Sequence, residues 1–364
     1  PTYQIFDLIN KLVKLDEVEF AEPSFESTVV EDAINPTDFL FPEQWDHQLI
    51  RTPDAWQFLR NINVNRTFGS SDVIIGIVDS GVDPNHPDFN GTVSDGSSKI
   101  YQAFDFNNMV PNNNTLTSGH GTSCASAAAS STNNLSGVAG TNEGVAGVAG
   151  NARIIAMRRS GNEAKYADMY LWAGGLDPES DIDDFPAQIT PGADVISSSI
   201  ALGSSVGNPI SGTMAAVFDA LTDEGRGGKG TLLFFSAANN NSDNDVVFHR
   251  PWGMYNKCFS IAASSLANDG ASEVKALYSN FGSTTEFCAP SNDGWAPVNH
   301  NPPGVYGTFT ATPTVGGSDV IMEASFSIDR TQWGIIYGSG SVFDDLGDSA
   351  IRDMIDFDLT LVLA

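Results

Sequence analysis

Apolar runs rich in β-branched residues alternate with small-residue or helical segments through the middle of this chain. In the clearest case, a run that begins at Val73 stops at Asp79, and Ser-Gly follows. Such a run predicts a buried strand that delivers a carboxylate at its C-terminal end. Further segments of this kind lie at 122–130, 152–158, 194–200, 209–223, 230–237 and 258–265. The alternation predicts an α/β fold with a mostly parallel sheet, in which functional groups collect at the carboxyl ends of the strands.

The two ends of the chain show other patterns. Apolar residues have helical spacing from Ile5 to Leu15, and residues 18–23 alternate like a strand. Near the C-terminus, residues 320–329 and 355–363 alternate in the same way. We therefore predict four parts, which are an N-terminal piece at 1–30, an acidic and turn-rich linker at 31–48, a main domain at 49–303 and a β-rich segment at 304–364.

Composition narrows the classes of partner. The chain has 364 residues, with 17 basic and 45 acidic side chains and a formal net charge of −28. This charge argues against nucleic acid or an anionic membrane surface as a partner, and no apolar run approaches the roughly 18 residues of a membrane span. Asp-rich loops are compatible with Ca²⁺ binding. Three cysteines are too few for a disulfide scaffold, although Cys258 and Cys288 could pair.

Three polar residues make chemical sense as a set. Asp79 ends the first strand, His120 lies between glycines ahead of a small-residue run, and Asn239 follows the apolar run at 231–238. A serine hydroxyl becomes nucleophilic when a histidine takes its proton, and a buried carboxylate holds that histidine in the correct tautomer. An asparagine carboxamide can stabilise the oxyanion. Acid first and histidine second is the chain order of one convergent serine-protease triad.

On these motifs, residues 18 to about 295 resemble the subtilisin family (subtilases, peptidase S8-like). Asp79 matches the acid box of the family, His120 its His-Gly-Thr box, and Asn239 its oxyanion asparagine, although Ala238 stands where the family usually has glycine. The resemblance implies a subtilisin-like three-layer fold and a serine endopeptidase that hydrolyses polypeptides. In that role Asp79 orients His120, and His120 acts as general base and then as general acid.

The same resemblance implies further site residues and partners. Asp88, in His-Pro-Asp, matches a position where many members place a structural Ca²⁺ ligand, and no cofactor is implied for catalysis. Residues 18–25 look like the end of a propeptide and are expected to lie in the substrate cleft as the chain's own partner. A secreted or cell-envelope protein of a bacterium is implied. The residues expected to border the cleft are Ser199, Ile200 and Ala201, with Ser236, Ala237 and Ala238 in the pocket wall.

The nucleophile box departs from the family pattern. The best match is Gly307-Thr308-Phe309, with Phe309 where serine is expected, and the glycines at 316–317 break the helix that should follow. Three explanations stay open. The chain is a pseudoprotease that binds peptides without cleaving them, or its serine-bearing segment is absent and the C-terminus is foreign, or another serine such as Ser339 or Ser341 serves. The C-terminal strands resemble the end of YceI-family lipocalin-like barrels, but a partial barrel gives no basis for lipid binding.

Overall fold

The computed structural model describes residues 34–111, 119–134, 144–178, 189–200, 210–247, 251–266 and 273–291, together with the backbone of three later strands. The N-terminal piece at 1–30, Ala201, Phe309, Ser339 and Ser341 lie outside the described residues. Two short 3-10 turns precede the sheet, at Phe41–Glu43 and Val64–Arg66. The α-helices are α1 (Trp45–Leu49), α2 (Thr52–Ile62), α3 (His120–Ala129), α4 (Glu163–Ala173), α5 (Gly212–Gly228, with a break at 225–227) and α6 (Asn244–Val247). The strands of the main sheet are β1 (Ile74–Asp79), β2 (Ile100–Asp105), β3 (Val110–Pro111), β4 (Arg153–Arg158), β5 (Val195–Ser198), β6 (Leu232–Ser236), β7 (Phe259–Leu266), β8 (Glu273–Lys275) and β9 (Phe287–Pro290).

The main sheet has the strand order β3-β2-β4-β1-β5-β6-β7-β8, and β9 also pairs with β7. Only the β2–β3 and β7–β8 pairs are antiparallel among these strands; the others are parallel. The predicted mostly parallel α/β sheet is therefore confirmed. Parallel strands need crossover connections. α5 connects the neighbouring strands β5 and β6, and α4 lies on the connection from β4 to β5, which are separated in the sheet by β1.

The core lies on both faces of this sheet. Ile74 and Val78 of β1 point into a large cluster that includes Tyr170 of α4 and Phe218 of α5. The intervening Ile75 and Ile77 belong to a second cluster with Ala125 and Ala129 of α3. All six residues of β1 are buried, which is the state expected of a parallel strand covered on both faces. The continuous apolar run in the sequence reflects this double burial.

Small residues bring α3 very close to β1. A Cβ atom at Gly121 would lie 2.2 Å from the carbonyl oxygen of Gly81 and 3.0 Å from Asp79 Cβ. Only glycine therefore fits at this point of the helix. Ala125 and Ala129, further along α3, are fully buried. This close approach places the first residue of the helix, His120, beside the last residue of the strand.

Residues 34–48 differ from the linker that their acidic, turn-rich sequence predicted. Ile34 and Phe41 pack in a small apolar cluster with Trp56 and Ala146. The Gln44 side chain donates from Nε2 to the carbonyl of Ala146 and accepts from its amide. Although most of this stretch is polar, its two apolar side chains are buried because they contact residues distant in sequence. This stretch is part of the folded domain, so 49 is not where the packed structure starts.

The C-terminal strands form a separate antiparallel sheet, β10 (Thr312–Gly316), β11 (Asp319–Asp329) and β12 (Met354–Leu363), in that order. The predicted strands at 320–329 and 355–363 are confirmed. Within the described residues, no helix is long and apolar enough to cross a bilayer. Cys258 and Cys288, whose pairing the sequence left open, are free thiols.

Candidate active site

Asp79 and His120 meet at the carboxyl edge of the sheet. His120 Nδ1 lies 2.8 Å from Asp79 Oδ1 and 2.9 Å from Oδ2. The Asp79 side chain is almost fully buried, whereas that of His120 is 59% exposed. With Nδ1 directed to the carboxylate, the second ring nitrogen, Nε2, is the one that can exchange a proton with a reactant. The structure thus brings together the two residues that the sequence singled out first.

Backbone contacts hold this pair in place. Asp79 Oδ1 accepts from the amide of Ser80 at 2.6 Å, and the Gly121 amide donates to Ser80 Oγ at 3.0 Å. The amide of Arg159 donates to the Asp79 carbonyl at 2.8 Å. Residues that follow β1, lie in the first turn of α3 and follow β4 are therefore joined around Asp79. Such support fixes a side chain within the tolerance that proton transfer needs.

Asp79 controls the protonation of His120. The hydrogen bond with Asp79 is the largest of the effects that raise the pKa of His120, to about 10, and burial opposes it. A smaller contribution comes from Cys124, one helical turn along α3, whose Sγ lies 3.7 Å from Nδ1. The protonated imidazole is favoured because a buried carboxylate stabilises its charge. The arrangement is suited to a histidine that takes up a proton and holds it during a reaction.

Asn239 lies at the same edge of the sheet. It follows β6, two strands away from β1 in the order β1-β5-β6, so the strand ends are about 10 Å apart. Its side chain is exposed. The turn that carries it is fixed by hydrogen bonds from the Asn280 amide to the Ala238 carbonyl and from the Asn240 amide to Asn280 Oδ1. Ala238 has a φ of 94°, a value that favours glycine over alanine.

The expected cleft residues divide into two groups. Ser199 directly follows β5, Ser236 is the last residue of β6, and both are partly buried. Ile200, Ala237 and Ala238 are buried, and Ile200 packs in the larger core cluster. The side chain of Ile200 therefore contributes to packing.

Asp88 is a buried carboxylate whose charge acts on a second buried carboxylate, Asp38. Asp88 Oδ1 accepts from Asn134 Nδ2 at 2.9 Å, while its buried Oδ2 has no hydrogen bond within the described residues. Asp38 is also buried, and its pKa is raised first by burial and additionally by the charge of Asp88. The unpaired oxygen of Asp88 suits Ca²⁺, which prefers oxygen ligands, whereas both oxygens of Asp38 accept from the Asn133 amide, at 3.2 and 2.9 Å. Sequence reasoning missed Asp38 because it lies in the stretch that was interpreted as a linker.

Comparisons with known proteins identify relatives of this chain. The model of the subtilase family matches residues 70–325. Thermitase of Thermoactinomyces vulgaris is 32% identical over 291 residues, covering 78% of this chain and 83% of that protein. A calcium-dependent protease of Trichormus variabilis is 28% identical, over 85% of this chain and 42% of the relative, and halolysin of Haloferax mediterranei is 29% identical, over 85% and 51%. This chain thus spans about half or less of the length of the calcium-dependent protease and of halolysin.

A solved structure shows the same fold. A protease from Pseudoalteromonas arctica PAMC 21717 superimposes with a TM-score of 0.50 at 24% identity, over 71% of this chain and 73% of that one. The resemblance of the C-terminal strands to YceI-family barrels has no support from these comparisons.

Proposed function

The chain belongs to the subtilase family, and we propose that it is a serine endopeptidase acting on extended polypeptides. The observation that carries the proposal is the 2.8 Å contact between His120 Nδ1 and the buried Asp79 at the carboxyl edge of a parallel sheet. The nucleophilic serine is not identifiable in this sequence.

In the proposed reaction, His120 Nε2 takes the proton of the serine hydroxyl as the oxygen attacks the peptide carbonyl. The same nitrogen then gives this proton to the departing amine. Asp79 keeps the ring in the required tautomer and stabilises its positive charge. Asn239 donates from its carboxamide to the oxyanion, and its exposed position at the same sheet edge supports that role.

The substrate is proposed to lie as an added strand along Ser199, Ile200 and Ala201, with Ser236, Ala237 and Ala238 in the pocket wall. Because Ile200 is buried in the core, it would contribute backbone groups rather than its side chain. The chain's own residues 18–25 are proposed to occupy this cleft before maturation. We also propose that 1–30 and 304–364 are parts distinct from the main domain, and that the protein is exported from a bacterial cell to its envelope or medium.

A calcium ion is proposed at Asp88 and Asp38, where it would neutralise two buried carboxylates and hold residues 34–48 against the domain. The name of the calcium-dependent protease of Trichormus variabilis agrees with this assignment. The ion would supply rigidity and take no part in the proton transfers of the reaction.

A second function competes with hydrolysis. Phe309 stands at the serine position of the best-matching box, and residues 312–316 and 319–329 are strands where the family would have a long helix. These observations favour a catalytically inactive subtilase that binds peptides in the same cleft.

Digestion of unfolded casein by the purified chain separates the two functions. We expect cleavage that is absent in a His120→Ala variant with unchanged circular dichroism. The rate should rise toward alkaline pH, because only the neutral imidazole can accept a proton and the pKa of His120 is about 10. Casein that binds without being cut by either protein would support the inactive alternative.

A further inference from the structure

A small polar pocket opens beside Asp79, on the side of the sheet edge away from β5. Its volume is about 170 Å³, well below the roughly 300–1,000 Å³ of sites that enclose a whole small ligand. A pocket of this size accommodates one side chain of a longer molecule. The residues that line it are Ser80, Asn107, Arg158, Arg159, Ser160 and Gly161.

The pocket carries positive charge on a strongly acidic chain. Arg158 is neutralised by Asp105, since its Nη1 lies 2.6 Å from Asp105 Oδ2. Arg159 is exposed and forms no ion pair with the described residues. Lys165 of α4 adds a further cation at the rim, where its Nζ donates to the Asn107 carbonyl at 3.1 Å. The chain has 45 acidic and 17 basic residues, so most of its surface is negatively charged. A pocket that contains an arginine without an ion pair among the described residues is locally positive and suits an anion.

Contacts tie this pocket to the candidate active site. Ser80 directly follows Asp79, and the Arg159 amide donates to the Asp79 carbonyl at 2.8 Å. The pKa of Tyr166 is raised chiefly by burial and slightly by the charge of Asp79, and it is lowered by the Arg159 guanidinium. The guanidinium is therefore close to the Tyr166 hydroxyl.

We propose that this pocket binds the carboxylate side chain of a Glu or Asp residue in the polypeptide substrate, with Arg159 as the residue that determines the preference. Arg159 donates two parallel N–H bonds to the carboxylate, a geometry that guanidinium groups adopt readily. The Ser80 and Asn107 side chains contribute polar surface around it. The inference rests on the proposed function, because it assigns one subsite of the same cleft.

The test uses peptides of one fixed sequence in which a single position is replaced by Glu, Gln or Lys. The replaced position is moved along the peptide one residue at a time. Cleavage rates (kcat/KM) are measured with a fluorogenic series, and Kd values with the same peptides by fluorescence anisotropy, so that an inactive chain can still be examined. Arg159→Gln removes the charge, and Arg159→Glu reverses it. The matched control is Arg60→Gln, which removes an equally exposed arginine on α2.

We expect one position at which Glu is preferred over Gln by about tenfold, which corresponds to about 1.4 kcal/mol. Arg159→Gln should bring this ratio close to one with little change for the Gln peptide. Arg159→Glu should favour Lys, and Arg60→Gln should leave all ratios unchanged. Peptides that bind or are cut with no Glu preference at any position, or a preference that survives in Arg159→Gln, would overturn the inference while leaving the proposed function intact. Absence of both binding and cleavage for every peptide would instead contradict the proposed function and the inference with it.

Discussion

Replacing Gly121 by alanine should move His120 away from Asp79. The added Cβ would lie 2.2 Å from the Gly81 carbonyl oxygen, whereas non-bonded heavy atoms are most stable at about 3.5 Å. The obstacle is backbone rather than a flexible side chain, so α3 itself must shift by about 1 Å. A displacement of that size would stretch the 2.8 Å hydrogen bond between His120 and Asp79 beyond its usual range.

The expected cost follows from two opposing effects. Overpacking of this kind costs about 1–3 kcal/mol, and alanine recovers about 1 kcal/mol in helix propensity. Because the blocking atom is backbone, we take the upper part of the range and expect a net loss of about 2 kcal/mol in the free energy of unfolding. The pKa of His120 should fall from about 10 toward the ordinary 6.5 as its hydrogen bond with Asp79 lengthens.

Gly119 provides a matched control on the other side of His120. A Cβ there would meet no atom within 4 Å among the described residues, and its φ of −73° is one that alanine adopts easily. Urea unfolding of Gly119→Ala should differ from the parent by less than about 0.5 kcal/mol, and an NMR titration should find its His120 pKa unchanged. Equal unfolding free energies and equal His120 pKa values for the two variants would refute the argument.

Three further predictions concern protonation, calcium and backbone strain. Because Asp79 raises the pKa of His120 to about 10 from 6.5, the pair stabilises the fold fully below pH 6.5, and this contribution is lost as the pH rises through about 10. Asp79→Asn should lower the NMR-measured pKa of His120 and flatten that pH dependence; an unchanged pKa would contradict the account. Ca²⁺ at 100 times its Kd should stabilise the parent by about 2.7 kcal/mol, and Asp88→Asn or Asp38→Asn should lose the response in a thermal melt with and without EDTA. Calcium responses equal to that of the parent would exclude these ligands. Ala238→Gly should raise the free energy of unfolding by up to about 1 kcal/mol because it relieves a φ of 94°, and a loss in urea unfolding would show that this φ is not strained.

Local patterns predicted the elements that carry the candidate site. The run ending at Asp79 is continuous because β1 is covered on both faces, and the glycine after His120 is required by the close approach of α3. These are features of short segments, so the sequence displays them directly. Asn239 was located in the same way, as the first polar residue after a strand that pairs in the sheet.

Features that depend on distant contacts were not predictable from such patterns. Residues 34–48 pack because Ile34 and Phe41 meet Trp56 and Ala146, and their polar composition conceals this. Asp38 lies far from Asp88 in sequence, so their proximity emerges only in the fold. The positive pocket at Arg159 was hidden because the overall charge of −28 describes the average surface and not a local site.

The most direct test of the account is labelling with a fluorophosphonate probe for activated serines, followed by peptide mapping of the adduct. The account predicts one labelled serine, whose labelling is abolished in His120→Ala and strongly reduced in Asp79→Asn, and the mapped peptide would identify the nucleophile. A folded chain that takes up no label, or one labelled equally in His120→Ala, would contradict the claim that Asp79 and His120 activate a serine.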